Sequence, residues 1–310
     1  MNRPNIILIT WHDLGDWLGC YGYEHIASPR LDAFAGEGVR FTSSFCMAPQ
    51  CSASRSSIVT GLMPHANGMM GQVHHGFSIH EDRLTLPRLL RDAGYSTHLF
   101  GMLHESADPA AIGYEDIRRE SPRATYVADQ AEQFLSERHE KPFFLALGTR
   151  EVHRPFGEAY DAELARRLTV PPWLPDLPVI RRDIATFYRN ITHADTQMGR
   201  VLDAVETAGL RDDTLVVFTT DHGPDFPLAK ITLYDPGIKT ALLMRWPGVL
   251  EAGAQRDELI SNVDLLPAIL DFARVERPQC HGRSFAPLLT GGDYRSRERI
   301  FAEMTWHGQW

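Results

Sequence analysis

Short apolar runs alternate along this chain with longer stretches in which apolar residues recur at helical spacing. Residues 5–10, 96–100, 143–148, 215–220 and 241–244 are nearly continuous apolar segments of strand length. Between them, the sequence predicts a helix with Ser28 as N-cap and Pro29 as its first residue, ending near Gly36 or Gly38. Further helices are predicted over 85–93, closed by Gly94, over 125–139, and over 183–208, closed by Gly209. Strands apolar on both faces, alternating with helices, predict an α/β fold with a mostly parallel central sheet sandwiched by helices. In such sheets, ligands sit beyond the carboxyl ends of the strands, so polar residues directly after a strand are the ones to examine. The Pro-rich segment 171–178 reads as a surface excursion, and residues 1–310 read as a single domain.

Charge and cysteine usage narrow the function classes. Lys plus Arg is 31 against 40 for Asp plus Glu, a net charge of −9, which disfavours coating nucleic acid but leaves room for a small anion in a cationic cleft. No apolar run approaches the roughly 18 residues of a membrane span, so no membrane partner is expected. The opening Met1-Asn2-Arg3-Pro4 leads straight into the first strand with no signal-peptide pattern, which makes a cytoplasmic location the expectation. Cys20, Cys46, Cys51 and Cys280 show no spacing of a disulfide framework or a zinc knuckle.

Two strands run into similar chemistry: the first into Trp11-His12-Asp13, the fourth into Asp221-His222-Gly223. Adjacent strands lie about 4.8 Å apart, so carboxylates at both ends can converge on one cation. Oxygen ligands favour Ca²⁺ or Mg²⁺, while imidazole shifts the preference toward Mn²⁺ or Zn²⁺. Each Asp alone reads better as a cap of its turn than as a ligand; as a pair after two strands they point to a metal site. A third segment, Cys51-Ser52-Ala53-Ser54-Arg55, takes a polar loop into a helix, where backbone N–H groups and the helix dipole favour an anion. The same setting is expected to lower a thiol pKa and make an unmodified Cys51 a reactive thiolate. Arg55, one turn along, can bring its planar fork to a sulfate or phosphate.

Cys51-Ser52-Ala53-Ser54-Arg55 resembles the sulfatase signature Cys-x-Pro/Ala-Ser-Arg, in which the Cys is oxidised to formylglycine, and Ser56 through His65 resembles its continuation. Gly19-Cys20-Tyr21-Gly22 and Ser28-Pro29-Arg30-Leu31-Asp32 fit the segment before it. Asn67-Gly68-Met69-Met70-Gly71 through His74-His75 is similar to the bacterial branch near heparan N-sulfatase (sulfamidase). The resemblance implies an alkaline phosphatase/sulfatase-like fold, one divalent metal ion with Ca²⁺ foremost, and a formylglycine-generating maturation enzyme as partner. By position, Asp13, Asp221 and His222 match the metal ligands, modified Cys51 completes the shell, and His12 is either a replacement ligand or a residue behind the shell. Arg55 matches the cation that holds the formylglycine and metal-bound oxygens, His104 the histidine serving the hydrated aldehyde, His153 the one near the leaving group, and Lys230 the sulfate-binding base. His74 and His75 either line the substrate pocket or lie on a solvent-facing loop.

The implied reaction is hydrolysis of a sulfate ester or sulfamate, with a small sulfated carbohydrate as substrate. Sulfur would be attacked by one hydroxyl of the hydrated aldehyde, while the cation and Arg55 hold the charge on the sulfate oxygens. His153 with Lys230 would protonate the departing alcohol or amine, and His104 would take the proton of the second hydroxyl, expelling sulfate. Three departures stand out: Ala53 where Pro is most frequent, Met102 where many sulfatases carry Lys, and a chain that stops where a C-terminal subdomain is expected to begin. Such a truncation is expected to leave Trp306 and Trp310 lacking the burial they call for. His65 is expected to pack after the signature helix. Competing readings are a phosphonate monoester or phosphodiester hydrolase with the same nucleophile, a non-catalytic anion-binding scaffold, and a plain cysteine hydrolase that would leave the Asp/His pairs idle.

Overall fold

The structure, a computed structural model, describes residues 3–306. Ten strands lie among the described residues: β1 (Asn5–Trp11), β2 (Val39–Phe41), β3 (Ser44–Phe45), β4 (Ser96–Gly101), β5 (Asp116–Arg118), β6 (Phe143–Gly148), β7 (Thr214–Thr220), β8 (Leu242–Arg245), β9 (Ala254–Arg256) and β10 (Ile260–Ser261). Eight form one sheet in the order β5-β4-β6-β1-β7-β8-β2-β9, and β3 pairs with β10 separately. The sheet is mostly parallel, as expected, with β8 running antiparallel to both β7 and β2. The reason lies in the connection: the chain from β7 to β8 stays at the carboxyl end of the sheet and makes no helical crossover, so it must return in the opposite direction. That excursion carries Asp221, His222 and Lys230.

β1 sits centrally, and its side chains alternate between two cores. Ile7, Ile9 and Trp11 pack with buried residues of α1 (Pro29–Glu37) and of the helices Ala124–Leu135 and Pro178–Thr207. Ile6 and Leu8 face the other way, into the core shared with α2 (Cys51–Thr60) and the helices Leu86–Asp92 and Leu265–Ala273. All seven β1 residues are buried, which is why this strand reads as a continuous apolar run. Covering both faces leaves the strand ends as the place where polar groups can gather.

Several boundaries differ from expectation. The helix anticipated at 183 begins at Pro178, because the last proline of the Pro-rich segment supplies the preset φ of a first helical residue. The helix expected to reach 139 ends at Leu135. Ser28 precedes α1 without capping it: its hydroxyl donates to Asp32 and accepts the Gly19 N–H. Trp306 is 43% exposed, the lack of burial expected for it, and Trp310 lies outside the described residues. No helix among the described residues is long and apolar enough to cross a membrane.

Candidate active site

Parallel pairing of β1 with β7 brings their carboxyl ends level, with Trp11 beside Thr220. The chain then turns sharply at Asp13, a non-glycine residue at φ 51°. Its N–H donates to Asp221 Oδ1 at 3.0 Å, and the His222 N–H donates to the same oxygen at 2.9 Å. The two carboxylates are therefore clasped by backbone as well as brought together by the sheet. Cys51 enters as the first residue of α2, after Gln50 in extended conformation, and every residue of α2 is buried. Its thiol lies 3.3 Å from His222 Nε2 and 4.0 Å from Asp13 Oδ1.

Asp13, Cys51, Asp221 and His222 each offer one ligand atom, all within 4.8 Å of one another. His222 Nδ1 lies 2.9 Å from the Gly223 carbonyl, so the Nδ1 hydrogen donates there and the Nε2 lone pair faces the carboxylates. Two fully buried carboxylates and a pre-aimed imidazole fit a divalent cation, with oxygen donors favouring a hard ion. His12 Nδ1 lies 3.0 Å from Asp13 Oδ1 and 3.2 Å from Asp221 Oδ2, and its buried Nε2 has no partner. His12 also forms a second possible ligand group with Asp13, Cys51 and His153.

Electrostatics keep the carboxylates charged. Burial works to raise the Asp13 pKa, but the Lys230 ammonium and His222 outweigh it and hold it well below the usual range. Lys230 Nζ donates to Asp13 Oδ2 at 2.6 Å and lies 3.3 Å from His153 Nε2. Its segment is held in place by the Ile231 N–H donating to the Pro49 carbonyl at 3.1 Å. Leu228 and Ile231 take φ of 59° and 65°, strained for side chains of this kind, and strain of this sort concentrates at functional sites. Burial drives the His104 pKa down to about 2, with His12 and Arg55 adding repulsion, and its Nδ1 has no partner.

A cavity of about 770 Å³ opens onto this group, with Cys51, His104, His153 and Lys230 in its lining. His74 and His75 are exposed and line the same cavity, so the two alternatives for them coincide. Gln72, Asp225, Ile231 and Trp306 complete the lining, and no motif singled them out. Trp306 carried the one legible signal, as a large aromatic residue that calls for burial. Arg55 lies behind the wall: Nε donates to Asp221 Oδ2 at 2.9 Å and an Nη donates to the Thr10 carbonyl at 3.4 Å. The Cys51 pKa is pushed up by burial, not lowered as the helix terminus suggested, because desolvation of a thiolate here exceeds the help of Lys230. His65, expected to pack, is exposed and bonds to Glu303.

Against known proteins, the sulfatase family model matches residues 4–275. The human N-sulphoglucosamine sulphohydrolase is 32% identical over 93% of this chain and 66% of its own length. An ulvan-active sulfatase of Formosa agariphila is 29% identical over 98% of this chain and 61% of its own. The chain thus spans less than two thirds of the length of these curated relatives. A solved phosphonate monoester hydrolase from Silicibacter pomeroyi superposes with a TM-score of 0.77 at 23% identity, covering 94% of this chain and 78% of that one, a likeness of fold. With the family model matched along most of its length, this chain belongs to the sulfatase family.

Proposed function

We propose that this chain hydrolyses the sulfate ester or sulfamate of a sulfated sugar, with Cys51 converted to formylglycine as the nucleophile. The observation that carries this reading is Cys51 at the start of α2, among buried Asp13, Asp221 and His222 at the floor of a cavity that also holds Lys230 and His153. A thiol whose pKa is raised by burial is a poor nucleophile as it stands, which favours a modified side chain over a thiolate. Hydrated formylglycine would supply two hydroxyls on one carbon, a way to expel sulfate that a single hydroxyl lacks. A divalent cation held by Asp13, Asp221 and His222 would neutralise charge on the sulfate oxygens.

The remaining work falls to residues of the chain itself. Lys230 binds a sulfate oxygen and supports His153, whose Nε2 passes a proton to the departing oxygen or nitrogen. His104, which lines the cavity beside Cys51, would take the proton of the second hydroxyl as sulfate leaves. Arg55 positions Asp221 through the Nε contact. His12 stands behind the ligand shell, fixing both carboxylates. The similarity to an N-sulphoglucosamine sulphohydrolase and an ulvan-active sulfatase supports a carbohydrate substrate.

Peptide mass spectrometry of protein co-produced with a formylglycine-generating enzyme tests the nucleophile, and the mass loss of a thiol turned aldehyde at residue 51 is expected. The matured protein is then given N- and O-sulfated glucosamine beside a phosphonate monoester. Faster turnover of the phosphonate would replace this reading with the phosphonate hydrolase one. An unmodified Cys51, with a control signature peptide converted, would sink it.

A further inference from the structure

The two residues flanking Cys51 do more than frame it. Gln50, fully buried, donates from Nε2 to the Thr305 carbonyl at 2.7 Å and accepts the Thr305 hydroxyl at Oε1 at 2.9 Å. On the other side, the Ser52 hydroxyl donates to Gln72 Oε1 at 2.9 Å and accepts the Val73 N–H at 3.2 Å. The first pair of bonds fixes the segment that carries Trp306, and the second fixes the turn carrying His74 and His75. Both segments are thus built onto the start of α2, and they meet: the His75 and Trp306 rings lie 4.9 Å apart, with Phe77 5.4 Å from Trp306 on centroids. The Trp306 N–H donates to the Met70 carbonyl at 2.9 Å, which fixes its backbone as well. Trp306 nonetheless keeps 43% of its surface open and lines the same cavity as Cys51 and Lys230.

An indole held this firmly and left open is an unusual use of a large apolar surface, since packing would otherwise bury it. The cavity, at about 770 Å³, has room for far more than a sulfate group and falls in the range that accommodates a whole small ligand. From these contacts we infer that Trp306, supported by His75, is a saccharide-stacking subsite that receives the apolar C–H face of a sugar ring. It deepens the sulfatase reading and rests on it only for the sulfate the sugar carries. Because the backbone on both sides is tied to residues 50 and 52, the platform is preorganised relative to residue 51, so little ordering opposes binding. Trp306 would act on affinity for the sugar and not on bond cleavage.

The test uses the full chain made without maturation enzyme, so that no turnover intervenes. Ligand-observed NMR titrations compare a glucosamine disaccharide, its N-sulfated form and sodium sulfate, in the parent protein, in Trp306→Ala and in Trp306→Phe. Trp306→Ala should weaken both disaccharides by roughly tenfold, a typical aromatic-contact contribution, and leave the sulfate affinity within about twofold. Trp306→Phe should retain most of the sugar affinity. Equal sugar affinity in the parent and Trp306→Ala, or a parent that does not bind the unsulfated disaccharide, overturns the subsite. So does a loss of sulfate binding alongside the sugar in Trp306→Ala, which would mark a collapsed pocket. If the parent binds both disaccharides alike and ignores sulfate, the sulfatase reading fails and the subsite stands.

Discussion

Arg55 and Asp221 are both buried, and each carries a charge that the other makes tolerable in that setting. Removing one partner strands the other away from water, which is costlier than removing both. Asp221→Asn should therefore destabilise the chelator-treated protein by about 3–5 kcal/mol, and Asp221→Asn/Arg55→Met by clearly less than the sum of the single changes. Urea unfolding of the four proteins checks this, and strictly additive losses would show that the two groups do not depend on each other. Most of the candidate ligand group was legible as residue types directly after strands. What escaped was direction and depth: Arg55 read as an anion holder because its spacing from Cys51 is one turn, yet its fork turns inward to Asp221. Cys51 misled for a related reason, since a sequence displays the helix terminus and hides the burial that overrides it.

The carboxyl ends of β4 and β6 approach unusually closely where they release the segments leading to His104 and His153. A Cβ on Gly148 would stand 2.0 Å from the Met102 carbonyl oxygen, so neither strand can carry a side chain there without moving. Gly148→Ala is expected to destabilise the fold by about 1–3 kcal/mol, as overpacking does. It should also reduce turnover of a sulfated substrate by shifting His104. A thermal melt and a rate assay read the two effects, and an unchanged melt would mean that the strands part freely. The long strands were readable because burial on both faces leaves no polar interruption, as in Phe143–Gly148. β2, β5 and β9, three residues each, are too short to show any period. The direction of β8 was equally hidden, since an apolar run is the same read either way.

Across the molecule, folding gathers histidines at one end of the sheet and keeps some neutral. Burial lowers the His12 pKa to about 4 and the His104 pKa to about 2, from an ordinary 6.5. A depressed histidine contributes stability above its unfolded pKa and loses it as pH falls, because the unfolded chain takes up the proton that the folded one refuses. Below pH 6.5, therefore, each should add up to about 1.4 kcal/mol of lost stability per pH unit. Urea midpoints of chelator-treated protein between pH 7 and 5 would reveal it, and a flat profile would contradict the neutral state. That two layers of helix cover the sheet was legible from its runs and caps; that the residues around 305 close back onto Gln50 was not, since no local pattern encodes a contact across 255 positions. Cys51, only 4% exposed, finds its neighbour His222 171 positions later. At about 5–20 residues per second, a ribosome needs on the order of ten to thirty seconds to supply that stretch. For an enzyme that must reach the thiol, this interval is a window in time: residue 51 is open on all sides while the chain is still growing, and the finished molecule leaves it approachable only through the cavity.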